Sequence, residues 1–327
     1  MGNETKGFGK KKLIHYISAM KYIEQGVKWE WENKHISTGG SCDAEYCYSV
    51  YLRHLINYHE LIHSMPKNVV EFGPGDTIGI GLMALLCGAE KYYALDYIKY
   101  SGMHKIDFIL ERLIHMLREK KEIPGDNEYP GVYPKLKSYQ FPAYILSDSW
   151  MEKCLSEERI AVIKAAVQQV KHGNSSNLIS YIAPWQEEKT VGIKADFVYS
   201  QAVFEHIDEY KMAHKVIGDI LNPNGVVSHQ IDFGCHGCAD CWNGHLAYGR
   251  LVWRLVYGTR PYFLNRVSLS GHIKEIQKAG IQIKKCVRSS AKNGITRDML
   301  SRDFSKISDK DLKTRGAYII GIKRANL

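Results

Sequence analysis

Asn68-Val-Val-Glu-Phe-Gly-Pro-Gly-Asp76, followed by Tyr92-Tyr-Ala-Leu-Asp96, decides how this chain folds. A β-branched strand runs into a glycine turn, an apolar helix follows over Ile78 to Leu86, and a second short strand ends on an acid. This is the pattern of the nucleotide-binding half of a doubly wound α/β fold. Working outward, residues 105–118 read as a helix with Ile106, Ile109, Leu113 and Leu117 on one face. Residues 120–140, rich in Pro, Gly and Tyr, read as an ordered loop, and 156–171 as a further amphipathic helix. Strand three is either Ala143–Ser147 or Leu178–Ala183. The second is preferred because it lies one strand-to-strand interval before the next clear strand, Ala195–Ser200. A helix over 208–221 is stopped by Asn222-Pro-Asn-Gly225. Val226–Phe233, a helix at 270–279 and strands at 281–287 and Ala317–Lys323 complete the pattern. The expected architecture is α/β: a Rossmann-like seven-stranded sheet with helices on both faces.

Two segments fall outside this frame. Residues 1–66 read as helical, with Leu52, Leu55, Ile56, His59 and Ile62 at helical spacing, and are expected to form an N-terminal cap over the mouth of the main domain, 67–327. Residues 234–267, too long and too aromatic for a simple connection, are expected to form an inserted lid after strand five.

Composition sets the class. The 327 residues, 45% of them hydrophobic and 24% charged, are ordinary for a globular protein able to bury a large core. No apolar run reaches the roughly 20 residues that span a bilayer. His15, Tyr16 and Lys21 interrupt the one stretch that imitates a signal peptide, so a cytoplasmic location is expected. The net charge of +9 is dispersed, which argues for a solvated surface rather than a nucleic-acid patch and also suits an anionic small substrate. The eight cysteines are expected to be reduced thiols.

The glycine turn narrows the ligand. Gly73 and Gly75 let the backbone adopt conformations barred to other residues and let a ligand approach closely. A dinucleotide site needs a third glycine three positions after the second; here that residue is Ile78. S-adenosylmethionine carries no pyrophosphate and needs no phosphate cradle. Its amino-acid end and ribose suit acid and backbone contacts, and Asp96 at the end of strand two is placed to accept from both ribose hydroxyls.

On these residues the chain resembles the class I S-adenosylmethionine-dependent methyltransferases. Glu71-Phe-Gly-Pro-Gly75 resembles the first motif of that family, and Asp96 its ribose-binding acid. Asp196-Phe-Val-Tyr-Ser-Gln-Ala-Val-Phe-Glu-His206 resembles the motif around the fourth strand, and Leu221-Asn-Pro-Asn-Gly225 the turn before the fifth. More narrowly, Gly73-Pro-Gly-Asp-Thr77, Ser200-Gln-Ala-Val-Phe-Glu-His206 and Asn265-Arg-Val-Ser-Leu-Ser270 resemble methyltransferases found with bacterial polysaccharide and cell-surface glycan genes. The resemblance spans roughly residues 48–290. It implies that Glu71, Gly73 and Gly75 hold the methionine part of the cofactor and Asp96 the ribose. It places Ile182 and Ala183 beside the adenine, and Ser200 and Gln201 toward the cofactor and substrate cleft. The usual acid just after strand three is absent from Tyr181-Ile-Ala-Pro-Trp185.

Methyl transfer to a hydroxyl acceptor is helped by a general base. His206, after strand four, and His229, within strand five, are the candidates, and Asp232 is placed to orient a substrate or a metal. Cys235, Cys238 and Cys241, with His236 and His245 nearby, have the donors of a zinc site, but one crowded run lacks the two separated knuckles of such motifs, and no metal is expected. The aromatic run Trp242, Tyr248, Trp253, Tyr257, Tyr262 and Phe263 either buries the lid or stacks on sugar rings. Arg254, Arg260 and Arg266 are either surface charges or a clamp for an anion. The expected activity is therefore methyl transfer, at oxygen, to a small-molecule or glycan-like acceptor. The alternatives are a nicotinamide-dependent oxidoreductase and a non-catalytic methyltransferase-like binding protein. Nucleic-acid methylation is disfavoured, because Ser200-Gln-Ala-Val stands where amino-methylating enzymes carry an Asn/Asp-Pro-Pro-Tyr/Phe motif.

Overall fold

The computed structural model describes residues 19–29, 39–98 and 102–324; the parts of the expected cap at 1–18 and 30–38 lie outside them. In chain order the elements are α1 (Ala44–Ile62), β1 (Asn68–Phe72), α2 (Gly79–Leu86), β2 (Lys91–Leu95), α3 (Ile106–Arg118), α4 (Asp148–Cys154), α5 (Glu157–Lys171), β3 (Ile179–Ile182), β4 (Ala195–Gln201), α6 (Tyr210–Ile220), β5 (Leu221–Asp232), α7 (Arg250–Tyr257), α8 (Leu269–Lys278), β6 (Ile281–Ser290), α9 (Asp309–Leu312) and β7 (Thr314–Lys323). The strands form one sheet in the order β3-β2-β1-β4-β5-β7-β6. Pairings from β3 to β5 are parallel, and β7 runs antiparallel to both β5 and β6. This is the Rossmann-like seven-stranded sheet that the sequence predicts.

The chain winds outward from β1 in one direction through β2 and β3, then returns to wind the other way through β4 and β5. The topological switch point therefore lies between β1 and β4, where an open α/β sheet holds its ligand at the carboxyl ends of the strands. Strand three is Ile179–Ile182, and 143–147 forms turns. Pairing of β5 with β4 begins at Leu221 opposite Ala195 and resumes at Val226 opposite Phe197, so the expected Asn-Pro-Asn-Gly turn survives as a bulge. Asn224 there adopts φ +64°.

Burial alternates with the pleat. Val69, Phe197, Tyr199 and Val226 face one core, shared with α1 to α3 and α5. Val70, Phe72, Val198, Val227 and Ile231 face the other, shared with α6 and α8. Helix α1 opens on an Asp43 side chain that accepts from Glu45 N at 2.9 Å, and it closes on left-handed His63. Its length lies on the sheet, in one core with the strands. Its N-terminal approach reaches the mouth, where Ser41 Oγ accepts from Thr77 N at 3.0 Å.

Two devices fix this layer. The Arg53 guanidinium, fully buried on α1, donates to the carbonyls of Pro124 (3.0 Å), Val132 (3.1 Å) and Pro134 (3.3 Å) and to Asp126 Oδ1 (3.1 Å). A buried cation is tolerated only when its donors are so spent, and here they order the loop at 120–140. Gly81 of α2 opens space for Tyr92: a Cβ at this position would stand 1.9 Å from the ring's Cζ. Gly81→Ala is therefore expected to lower stability by at least about 1–3 kcal/mol through overpacking. Gly131→Ala, where a Cβ meets nothing, is expected to be near neutral; thermal denaturation of the two variants checks the contrast.

Candidate functional site

The carboxyl ends of β1 and β2 meet at the glycine turn. Gly73 and Gly75 adopt φ +69° and +71°, so both need the left-handed backbone that glycine allows. A Cβ on Gly73 would also strike Val203, beyond β4, at 2.5 Å, so the turn from β1 nests directly against the loop from β4. Gly73 N donates to Leu95 O at 2.8 Å. Asp96 binds across the gap: Oδ2 accepts from Gly75 N at 3.2 Å and Oδ1 from Tyr97 N at 2.7 Å. Its backbone pairs with Ile182 O at 3.0 Å and with Trp185 N at 2.9 Å, which brings Ile182 and its neighbour Ala183 beside the acid. Burial pushes the Asp96 carboxyl up to about 7 despite those N–H donors.

The other expected contacts divide by the face of the sheet they occupy. Glu71 is 1% exposed and turns toward the α1–α2 layer, where the Tyr92 hydroxyl donates to its carboxylate. Burial lifts it to about 8, so at neutral pH it is largely a proton-bearing core group. Ser200 is fully buried, and its hydroxyl contacts His229 Nδ1 at 2.8 Å rather than lining the cleft. Gln201 is half-buried and its amide is engaged. Oε1 accepts from His54 Nε2 at 3.0 Å, and the amide nitrogen donates to Gln230. His54 Nδ1 then accepts from Ser228 Oγ at 2.6 Å, and Ser228 contacts the Tyr318 hydroxyl at 3.0 Å. This row crosses the sheet beneath α1. His54 has no motif of its own and escapes sequence reading; a histidine on the buried stripe of α1 was its only signal.

The structure separates the two candidate bases. His229 is fully enclosed, with its ring 4.8 Å from Phe204, and burial lowers it to about 3. A base must exchange its proton with a substrate, and His229 has no open face, so that expectation is corrected. His206 stands instead at the mouth, half-buried, in a short 3-10 turn (Phe204–His206) directly after β4. Its ring lies 4.9 Å from that of His236 and 5.9 Å from that of Tyr262. Burial, helped by His236, lowers it to about 4. Asp232, at the end of β5, places Oδ2 3.4 Å from His236 Nε2, and its backbone N–H donates to Glu205 Oε1 at 3.3 Å. Glu205 and His236 therefore join His206 and Asp232, two neighbours that reading the sequence did not assign to the site.

The insertion covers this end of the sheet. Tyr262 spans from Tyr97, 6.0 Å between rings, to His206. Cys235 and Cys238 pack in an apolar cluster with Ala19, Tyr22, Tyr248 and Val256, whereas Cys241 packs against a separate cluster around Leu246 and Ile295. Arg260 and Arg266 are structural. Arg260 donates to Val256 O at 2.6 Å, and Arg266 donates to Tyr248 O at 2.7 Å while lying 4.4 Å from the Trp253 ring. Arg254 is exposed.

No protein-family model matches the chain, and no curated protein matches it by sequence. Among solved structures it is similar to an S-adenosylmethionine-dependent methyltransferase from Mesorhizobium loti, at 10% identity and TM-score 0.39, covering 86% of this chain and 100% of that one. It is also similar to the N-methyltransferase NodS from Bradyrhizobium japonicum, in complex with S-adenosylhomocysteine (9%, 0.38, covering 94% and 100%). A third is the cyclase SpnF (9%, 0.41, covering 96% and 96%). The fold assignment rests on the strand order.

The buried Glu71 carries a prediction. Its folded pKa lies above the ordinary carboxyl value, so the folded chain holds a proton that the unfolded chain has lost. Stability is therefore expected to fall as pH rises from about 4.5 to about 8 and to level off above that. Glu71→Gln should lessen that slope, leaving the share contributed by Asp96, as urea unfolding across the range would show.

Proposed function

We propose that the protein is an S-adenosylmethionine-dependent methyltransferase acting, at oxygen, on a small-molecule or glycan-like acceptor. The observation that carries this is Asp96: a carboxylate at the end of β2, tied to the left-handed Gly75 N–H at the switch point of the sheet. The turn fits such a ligand because glycine at 73 and 75 keeps side chains out of the cradle, and Asp96 retains acceptor capacity for two ribose hydroxyls. Gly73, Gly75 and Asp96 would hold the methionine and ribose parts, with Ile182 and Ala183 beside the adenine. When bound, the sulfonium supplies an electrophilic methyl group for in-line displacement.

The chain's own residues do the rest. Glu71 acts from beneath the turn as a proton-bearing support, since its carboxyl lies in the core. Ser200 and Gln201 position the end of β4 through His229 and His54. The acceptor end is built by Glu205, His206, Asp232 and His236, under a lid that brings Tyr262 against His206. A lid that excludes water favours alignment of acceptor oxygen, carbon and sulfur. The half-buried aromatic rings of the insertion favour a ring-shaped acceptor such as a sugar.

Calorimetry with S-adenosylhomocysteine tests the reading. Binding is expected in the wild type. It should weaken at least about tenfold in Asp96→Ala, on the scale of hydrogen bonds to a charged group, and be lost in Gly75→Val. Affinity should tighten as pH rises from about 6 to about 8, because ribose hydroxyls donate to the ionised carboxylate and Asp96 ionises near 7. Asp96→Asn should abolish that pH dependence. Unchanged affinity in these variants, or binding of NADH in place of S-adenosylhomocysteine, overturns the proposal.

A further inference from the structure

We propose that Glu205, His206 and His236 form a binding site for a divalent first-row metal at the acceptor end of the sheet. Each residue offers one ligand atom, and these atoms all lie within 4.8 Å of one another. Two imidazoles and one carboxylate on one side, with further positions open, is the donor set of catalytic zinc and of non-haem iron sites.

Three observations point to a cation rather than to chance proximity. First, Glu205 is 3% exposed, and only one of its oxygens is used: Oε1 takes the Asp232 N–H, and Oε2 has no hydrogen-bond partner among the described residues. A buried carboxylate left half-satisfied is costly. Second, His206 Nδ1 is likewise buried without a hydrogen-bond partner among the described residues, so two ligand atoms of one cluster are left unused. Third, Asp232 supplies the outer contact that metal-bound histidines usually have, with Oδ2 3.4 Å from His236 Nε2.

The ligands come from two loops, the turn after β4 and the segment after β5, so a bound ion would clasp the two strand ends that flank the mouth. His236 sits there at φ +47°, in the left-handed region, which carries the ring back toward His206. The remaining coordination positions would take water or an acceptor oxygen and lower the pKa of that oxygen. With the ion bound, His206 serves as a ligand rather than as a free base. The metal site does not depend on which group is transferred.

Titration of the metal-free full-length chain with Co2+ tests this directly, read by visible d–d absorption and by calorimetry. One ion per chain is expected, without the sulfur-to-cobalt charge-transfer band that the nearby cysteines would give. His236→Ala, at an exposed position, should weaken binding by more than the roughly 10–100-fold that removal of an outer partner costs. Glu205→Gln should do the same, and Asp232→Asn should fall within that range. Cys238→Ser should leave uptake unchanged. S-adenosylhomocysteine affinity and thermal melting without metal, unchanged in His236→Ala, would show that the variant folds and keep metal binding separate from cofactor binding. Absence of Co2+ uptake by the wild type, unaltered uptake in His236→Ala, or a sulfur band lost in Cys238→Ser would each overturn the proposal.

Discussion

The hydrogen bond from Gly75 N to Asp96 holds together what the rest of the cleft is built on. Parallel strands present their carboxyl ends to the same side, and beyond the last backbone bond, Gly73 N to Leu95 O, the two loops need a further tie. One short acid at the end of β2, reaching a backbone N–H that only a left-handed glycine can aim at it, supplies that tie. Beyond it, the Gly73 turn can approach Val203, and the loop after β4 is thereby fixed to the loop after β1. Phe204 and Glu205 are then held by Asn265, whose amide donates to Phe204 O at 2.7 Å and whose backbone N–H donates to Glu205 O at 2.8 Å.

The two faces of the sheet bear different chemistry. Beneath α1 lies a run of polar groups, from buried Tyr318, Ser228 and His54 to half-buried Gln201 and Gln230. Such a network is specific because each member is already another's partner, and a shift of one residue in register would orphan several at once. On the opposite face, His229, His214 and His272 are stacked around Phe204 as core groups, His214 and His272 being 3.2 Å apart. Burial disfavours the charged form of all three. Histidine thus serves both as interior packing and, at 206 and 236, as a donor facing the mouth.

Much of this was legible beforehand, for identifiable reasons. Buried parallel strands read as runs rich in β-branched and aromatic residues, and Val69–Phe72, broken only by Glu71, and Phe197–Tyr199 are of that kind. The glycine pair at 73 and 75 announces its own backbone angles. Which way a side chain points from those strands was harder. Val227, His229 and Ile231 share one face by simple alternation, and that period placed His229 in the core, although its proximity to Asp232 suggested catalysis. Glu71 falls with Val69 for the same reason. The partnership of Gln201 with His54, 147 residues apart, depends on where α1 lands and has no local signature. Asp232 and His236, four positions apart, could have been paired on spacing; the cysteines between and beyond them drew attention to sulfur instead.

The Arg53 knot has a consequence for how the chain is made. Its carbonyl acceptors and the Tyr139 hydroxyl lie 71 to 86 residues downstream. When α1 leaves the ribosome, the side chain that will be the largest fully buried one among the described residues has nothing to enclose it. The helix cannot take its final seat until the loop at 120–140 has been synthesised, after β1 and β2 have already emerged. Closure of so distant a contact is a late and entropically costly event. Assembly of the N-terminal half is thus timed by the arrival of the loop at 120–140.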